Sequence, residues 1–313
     1  MPADILMTAP LEPALMDNLD KAFTTHRLWQ AKDRAVFLAE VAPRIRGVVS
    51  RSAIGADAAL MDALPKLELI SIFGVGTDKV DLAAARQRGI RVTNTPDVLT
   101  EDTADYAIGL LLALARKIVA GDRYIRAGHW KTKGIMANST RVFGKKLGIV
   151  GLGRIGQVAA KRAAAFDMEI SYNGPREKPD LPYRYFADPV AMARHVDFVI
   201  LTCPGGPATR NLVNAGFLEA LGPQGMLVNI ARASVVDEAA LIAALTNGTI
   251  KAAALDVFPN EPDVSDALLA LPNVVVEPHI ASTTEETRRA IGELVFANVN
   301  AHFSGVPLPS QVT

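Results

Sequence analysis

One cysteine, Cys203, stands among 313 residues. That excludes an intramolecular disulfide framework and zinc sites built on cysteine pairs. The five histidines, His26, His129, His195, His279 and His302, contain no HxxxH spacing, so no metal is expected. Neither sign of charge is in excess: Lys plus Arg is 33 and Asp plus Glu is 33. Without a global field to hold a polyanion, nucleic acid is not an expected partner, and any phosphate must be held by a local site. Long apolar runs are missing as well. The longest, 107–115, ends at Arg116, far short of the roughly 20 residues that span a bilayer. It predicts a buried helix and no membrane partner. Met1-Pro2-Ala3-Asp4 puts no basic segment before its short apolar patch, which predicts no signal peptide and a cytoplasmic protein. The chain has no short-period repeat and no low-complexity tract.

What the chain does have is core material. Hydrophobic residues make up 50% and charged residues 21%, a balance that excludes wholesale disorder. The length suits two domains of about 150 residues each. Short β-like runs alternate with helix-length amphipathic segments. A first series of candidate strands covers 5–7, 47–50, 69–72 and 91–93. A second covers 146–150, 168–172, 197–201, 226–230, 252–257 and 274–276. The later runs are mostly apolar rather than alternating, as strands of a parallel sheet covered on both faces should be. Helical segments such as 155–166 and 238–245 lie between them, which argues for right-handed βαβ units.

Two series imply two lobes. Asn94-Thr95-Pro96-Asp97 closes the first, and one long helix over 100–127 should follow. Pro278-His279-Ile280-Ala281-Ser282-Thr283 closes the second, before a final helix over 285–303 that packs back on the first lobe. The expected organisation is a discontinuous domain, 1–97 with 285–313, and an inserted domain, 98–284. Two chain crossings join them, a natural hinge.

Gly151-Leu152-Gly153-Arg154-Ile155-Gly156 reads G-x-G-x-x-G. Alone the pattern is weak. Here it follows the strand 146–150 and opens an Ala-rich helix, the context of a dinucleotide site. Gly151 permits the tight turn, Gly153 lets backbone approach a pyrophosphate, and Gly156 lets helix pack on strand. Helix N-terminal N–H groups supply donors to the anion. The competing reading is a glycine-rich turn with no ligand. An NAD site wants Asp or Glu at the tip of the next strand, about 20 residues on. This chain has Asn173-Gly174-Pro175-Arg176 there, with Lys178 beyond. A guanidinium suits a 2′-phosphate, so NADP(H) is expected over NAD(H). The alternative is an exposed turn with an incidental arginine.

Three polar residues follow strands of the second series: Arg232 after 226–230, Glu261 after 252–257, and His279 after 274–276. In open α/β sheets the ligand crevice lies outside the carboxyl ends of the strands, where all three can converge. Together they fit reversible reduction of a 2-oxo acid. Arg232 grips the carboxylate and polarises the carbonyl. His279 donates the proton as hydride arrives, and Glu261 holds the imidazole and favours its charged form. Singly, each has a plain explanation as a solvated loop residue or a satisfied polar group.

At this point the chain resembles the D-isomer-specific 2-hydroxyacid dehydrogenases. The matching stretches cover nearly its whole length. They include Phe73-Gly74-Val75-Gly76-Thr77-Asp78-Lys79-Val80-Asp81 and Val92-Thr93-Asn94-Thr95-Pro96-Asp97-Val98-Leu99-Thr100. The glycine loop, Asn229-Ile230-Ala231-Arg232, Leu255-Asp256-Val257-Phe258, Glu261-Pro262 and Pro278-His279 continue the match in order. Within the family the chain looks like the glyoxylate/hydroxypyruvate reductase branch, hydroxyphenylpyruvate reductases included, in its length and its Trp130 and Tyr172-Asn173 regions.

The resemblance implies an α/β fold of two Rossmann-like or flavodoxin-like lobes with parallel sheets, the dinucleotide lobe inserted in the substrate lobe. It implies Arg232, Glu261 and His279 as the catalytic set and backbone N–H groups of Val75 and Gly76 on the substrate carboxylate. Along the cofactor it implies Thr103, the loop from Gly151 to Gly156, the tip from Asn173 to Arg176, and Cys203, Pro204 and Thr209. Ile230, Ala231, Arg232, Asp256 and Ser282 complete that set, with Asp256 near the nicotinamide amide. Cys203 is then a small wall residue, not a nucleophile. Two departures stand out: Ala233 follows Arg232 where many relatives have glycine, and no serine precedes Arg176. The second implies a smaller preference for NADPH.

The expected activity is NADPH-dependent reduction of glyoxylate or hydroxypyruvate to the D-2-hydroxy acid. Alternatives are bulkier 2-oxo acids such as phenylpyruvate or hydroxyphenylpyruvate, a short-form phosphoglycerate dehydrogenase, or a dinucleotide-sensing regulator without catalysis. Side-chain selectivity should reside near Ser50-Arg51-Ser52-Ala53, Phe73 and the loop 128–141, and the segment 100–141 offers a plausible homodimer surface.

Overall fold

The computed structural model describes residues 2–313. The chain divides into two compact units, Met1–Leu99 with Thr283–Thr313, and Thr100–Ser282.

The first unit carries strands β1 Asp4–Met7, β2 Thr24–Arg27, β3 Ile45–Arg51, β4 Leu69–Phe73 and β5 Arg91–Thr93. All pair in parallel, in the order β2-β1-β3-β4-β5, the flavodoxin-like arrangement. Every residue of β4 is buried, as a central strand covered on both faces requires. Leu6, Ile45, Val48, Ile70, Ile72 and Val92 form the core of this unit with the helices between the strands. Asp57 and Asp81 cap two of those helices through their carboxylates. The last helix, Glu285–Phe303, packs on the helix Pro13–Ala22 and on β4.

The second unit opens with the helix Thr100–Ala115 and continues through β6 Lys146–Val150, β7 Glu169–Asn173 and β8 Arg184–Phe186. It then runs through β9 Phe198–Leu201, β10 Met226–Asn229, β11 Ala252–Leu255 and β12 Val274–Val276. These seven strands are parallel, ordered β12-β11-β10-β9-β6-β7-β8. Strand order reverses between β6 and β9, the topological switch point of a dinucleotide fold with one strand added. Alternate residues of β9 feed opposite cores: Phe198 and Ile200 pack with Leu111 and Leu147, Val199 and Leu201 with Phe217 and Leu241. That is the period-2 signature of a sheet covered twice.

Three features differ from the sequence expectation. The helix expected over 100–127 is two helices, Thr100–Ala115 and Ile118–Arg126, separated by Lys117 in a left-handed conformation with φ 55°. The first buries Ala107, Ile108, Leu111 and Leu114, while the second buries nothing. The core that justified one continuous helix ends at Ala115, so nothing holds the axis straight beyond it. The edge strands β2 and β8 were not expected either. Thr24-Thr25-His26-Arg27 and Arg184-Tyr185-Phe186 lack an apolar run, because an edge strand needs only one paired side and a partly covered face.

Candidate active site

The loop after β10 is built around a buried amide. Asn229 Oδ1 accepts the Ala231 N–H at 3.0 Å, and its Nδ2 donates to the Arg232 carbonyl at 3.1 Å. Both faces of the turn carrying Arg232 are thereby tied to one side chain that is 1% exposed. The Arg232 guanidinium donates from Nη1 to the Ala231 carbonyl at 2.7 Å. Its stem lies against Gly205, where an added Cβ would meet Cγ at 3.0 Å.

Beyond β11, Asp256 donates its N–H to the Asn229 carbonyl at 3.0 Å. Its buried carboxylate accepts the N–H groups of Ile280 and Ala281 at 2.8 and 2.9 Å. Burial raises the pKa of this carboxyl; the two N–H bonds oppose the rise without cancelling it, and the nearby Glu277 charge adds to it. Glu261, on the following loop, accepts the Phe258 N–H at 2.9 Å through Oε1. Its Oε2 lies 2.7 Å from His279 Nδ1. Burial pushes Glu261 up, but the His279 bond, the Phe258 N–H and the charges of His279 and Arg232 outweigh it, leaving the carboxyl below its ordinary range. The Arg232 charge thus acts on the same carboxylate that holds the imidazole. With Nδ1 given to Glu261, Nε2 is the nitrogen left to face a ligand, and the His279 side chain is 39% exposed. His279 also has φ 55°, a left-handed backbone uncommon for a non-glycine residue. The grip of Asp256 on the next two N–H groups holds it there.

A second carboxylate lies beside this pair. Burial, then the charges of Glu277 and Asp256, push the Tyr106 hydroxyl far above its usual range. Neither Tyr106 nor Glu277 was expected from the sequence, and neither was Asn229. The one signal for Asn229 and Glu277 is their position at or just past the carboxyl end of a parallel strand.

The glycine loop joins β6 to the helix Arg154–Ala164. Gly151 has φ 96°, and a Cβ there would lie 2.6 Å from Cys203 Cα. A Cβ at Gly156 would lie 2.4 Å from the Gly151 carbonyl oxygen, whereas one at Gly153 meets nothing within 4 Å. No side chain caps this helix. A turn closed against the protein and open beside an uncapped helix N-terminus fits a dinucleotide pyrophosphate. Leu152, Ile230 and Ala231 are buried walls, Thr103 is 5% exposed, Ile155, Thr209 and Ser282 are half-buried, and Arg154 and Pro204 are exposed. The Thr209 hydroxyl donates to the Pro204 carbonyl at 2.7 Å. Burial raises the Cys203 thiol to about 11, which keeps it protonated and unreactive.

At the tip of β7 the Asn173 amide donates to the carbonyls of Phe186 and Ala187 at 2.8 and 3.1 Å, so it braces β8. The Gly174 carbonyl takes the Tyr185 hydroxyl at 3.1 Å. Pro175 and Arg176 are exposed. Lys178 reaches back to the glycine loop, its Nζ donating to the Leu152 carbonyl at 2.6 Å.

In the first unit, Val75 and Gly76 follow β4. Gly74 has φ 124°, donates its N–H to Thr95 Oγ1 at 3.1 Å and accepts the Thr95 N–H at 3.0 Å. The Asn94 amide donates to the Val75 carbonyl at 2.8 Å. The loop is therefore held through Gly74 and the Val75 carbonyl, with Val75 itself 37% exposed. Among the described residues no group of three or more His, Cys, Asp or Glu could hold a metal ion, and no helix is long and apolar enough to cross a membrane.

Comparison with known proteins adds independent observations. The family profile described as D-isomer specific 2-hydroxyacid dehydrogenase, NAD binding domain, matches residues 108–281. Hydroxyphenylpyruvate reductase of Plectranthus scutellarioides is 48% identical over 308 residues, 98% of each chain. Glyoxylate/hydroxypyruvate reductase A of Arabidopsis thaliana is 47% identical over 308 residues, again 98% of each. The crystal structure of the NADPH-dependent glyoxylate/hydroxypyruvate reductase of Sinorhizobium meliloti, in complex with NADP and malonate, superposes with a TM-score of 0.94 at 42% identity. It covers 100% of this chain and 97% of that one.

Proposed function

The chain belongs to the D-isomer specific 2-hydroxyacid dehydrogenases, and from that premise we propose that it reduces a small 2-oxo acid, glyoxylate or hydroxypyruvate, to the D-2-hydroxy acid. The observation that carries this reading is the 2.7 Å pair of His279 Nδ1 and Glu261 Oε2 with the Arg232 charge beside it. A nicotinamide dinucleotide, when bound, would be held by the glycine loop and the helix N-terminus after it, and would supply the hydride chemistry that the carbonyl carbon needs. His279 gives the proton from Nε2 to the carbonyl oxygen, completing the hydroxyl. Glu261 keeps Nδ1 protonated and the ring in one orientation. Arg232 offers a planar fork to the substrate carboxylate. In this reading the first unit binds substrate and the second binds the dinucleotide.

NADPH is the preferred cofactor. Two cations support that preference, Arg176 exposed past the tip of β7 and Lys178 anchored on the glycine loop, as does the NADPH dependence stated for the Sinorhizobium enzyme. The working protein is a cytoplasmic homodimer. The helix Ile118–Arg126 buries none of its side chains, and Ile118, Ile125, Trp130, Ile135 and Phe143 are all exposed nearby in sequence, an apolar face for a second copy to cover. Light scattering of wild type and Ile125→Glu checks the dimer: two chains for the first and a shift toward one for the second.

Oxidation of NADPH with glyoxylate, hydroxypyruvate, pyruvate and phenylpyruvate tests the activity. Turnover fastest with the first two supports the reading; dinucleotide binding with no turnover of any acid would make the protein a sensor instead.

A further inference from the structure

Tyr172 is 1% exposed in β7, in register with Tyr185 of β8 and 5.3 Å from it between ring centres. Phenylalanine would fill that core position without burying a hydroxyl, and a buried hydroxyl is costly unless it is hydrogen-bonded. Here the Tyr172 hydroxyl accepts the main-chain N–H of Lys178 at 2.6 Å. The loop between them is held at its start as well, where the Tyr185 hydroxyl donates to the Gly174 carbonyl at 3.1 Å. Past its end, the Leu181 N–H donates to the Lys178 carbonyl at 3.1 Å. The Lys178 side chain then crosses to the glycine loop, its Nζ donating to the Leu152 carbonyl at 2.6 Å. An ammonium has three N–H donors and no acceptor, so that bond leaves donors for a ligand.

Arg176 and Glu177 are exposed between these tethers, and Lys178 is half-buried. With an acid between two cations, a phosphate is held here by where the cations stand rather than by their number. A dinucleotide whose pyrophosphate lies on the glycine loop carries its adenosine ribose to the tip of the second strand, the gap that Lys178 spans. A free loop would have to be ordered by its ligand, and that ordering is subtracted from affinity. We propose that Tyr172 is a positioning residue for cofactor selection: its hydroxyl fixes the Lys178 main chain so that the ammonium, anchored on Leu152, meets the 2′-phosphate of NADPH. The proposal rests on the preference for NADPH and names the buried residue through which the tip selects. Tyr172 acts through Lys178, not on the cofactor itself.

Calorimetric titration with adenosine 2′,5′-bisphosphate and with 5′-AMP reads the contribution of the 2′-phosphate without turnover. The wild type should bind the bisphosphate more tightly. Tyr172→Phe should lower the ratio of the two affinities about 3- to 10-fold, the share of one ordinary hydrogen bond, with 5′-AMP binding unchanged. Lys178→Met should lower it about tenfold or more, the share of a charge-assisted contact. Adding Tyr172→Phe to Lys178→Met should lower it no further, because residues that act through one contact are not additive. The ratio of kcat/KM for NADPH and NADH with hydroxypyruvate should follow the same order. A ratio unmoved by either single substitution, a fully additive loss in the double variant, or an equal loss of both nucleotides in Tyr172→Phe overturns the proposal and leaves Tyr172 to the fold alone. A wild type that binds both nucleotides equally overturns the NADPH preference, and the proposal with it. If no 2-oxo acid is reduced, the reductase reading has failed, and the titration still decides on Tyr172.

Discussion

His279 owes its position to residues that do not touch its ring. Its left-handed backbone is pinned by Asp256 through Ile280 and Ala281, and its imidazole by Glu261. His279→Ala should lower kcat by about 10²–10⁴-fold, the usual share of general acid–base catalysis, with the NADPH dissociation constant nearly unchanged by fluorescence titration. Glu261→Gln should lose less rate, since an amide oxygen still accepts from Nδ1. A rate equal to wild type would mean that the pair does not act in the proton transfer. At the cofactor tip, Arg176→Ala should weaken NADPH roughly tenfold in kcat/KM, toward the lower end of what a charge-assisted hydrogen bond supplies. NADH turnover should barely change. An NADPH preference that survives would assign the 2′-phosphate to Lys178. The three polar residues were legible from the sequence because each follows an apolar strand. Asn173 was expected along the cofactor; its donor group also braces β8, a bond to a strand with no sequence signal.

Among the elements, the turn after β10 shows how a buried amide sets a functional side chain. Asn229→Leu would leave the Ala231 N–H and the Arg232 carbonyl without their partner, at a cost of about 1–3 kcal/mol for a buried unsatisfied group. The melting temperature should fall, and KM for the 2-oxo acid should rise more than kcat falls, because Arg232 loses its placement rather than its charge. Loss of stability with unchanged KM would show that Asn229 serves the fold alone. Central strands were legible wherever both faces are buried, as in β4, β9 and β10. The polar edge strands were not, nor was the break at Lys117. A hydrophobic period reports where a helix has a core, and past Ala115 there is none to report.

At the scale of the whole molecule, acid stability is set in part by the first unit, where Arg46, Glu68 and His302 meet under the last helix. Hydrogen bonding to Arg46 first, against the effect of burial, holds Glu68 below its ordinary 4.5. Burial holds His302 below its ordinary 6.5, against the pull of Glu68, and its Nδ1 has no partner. For both groups the unfolded chain binds more protons than the folded one between the two pKa values, so stability rises with pH there. The His302 contribution is complete above about pH 6.5 and is lost as pH falls through the lowered value. Glu68 follows at lower pH, weakened by its exposure to solvent. The melting temperature should therefore drop between pH 7 and 5, and His302→Gln should flatten that slope; equal slopes would remove His302 from the account. What the sequence alone determined is whatever repeats along the chain: two series of βαβ units, a glycine loop between strand and helix, and polar residues waiting at strand ends. Only the tertiary structure decided which of those residues meet. Hydrogen bonds between loops of separate strands, such as Asp256 to Ile280 or Glu261 to His279, depend on strand order, and strand order is a property of the packed sheet rather than of any local stretch of chain.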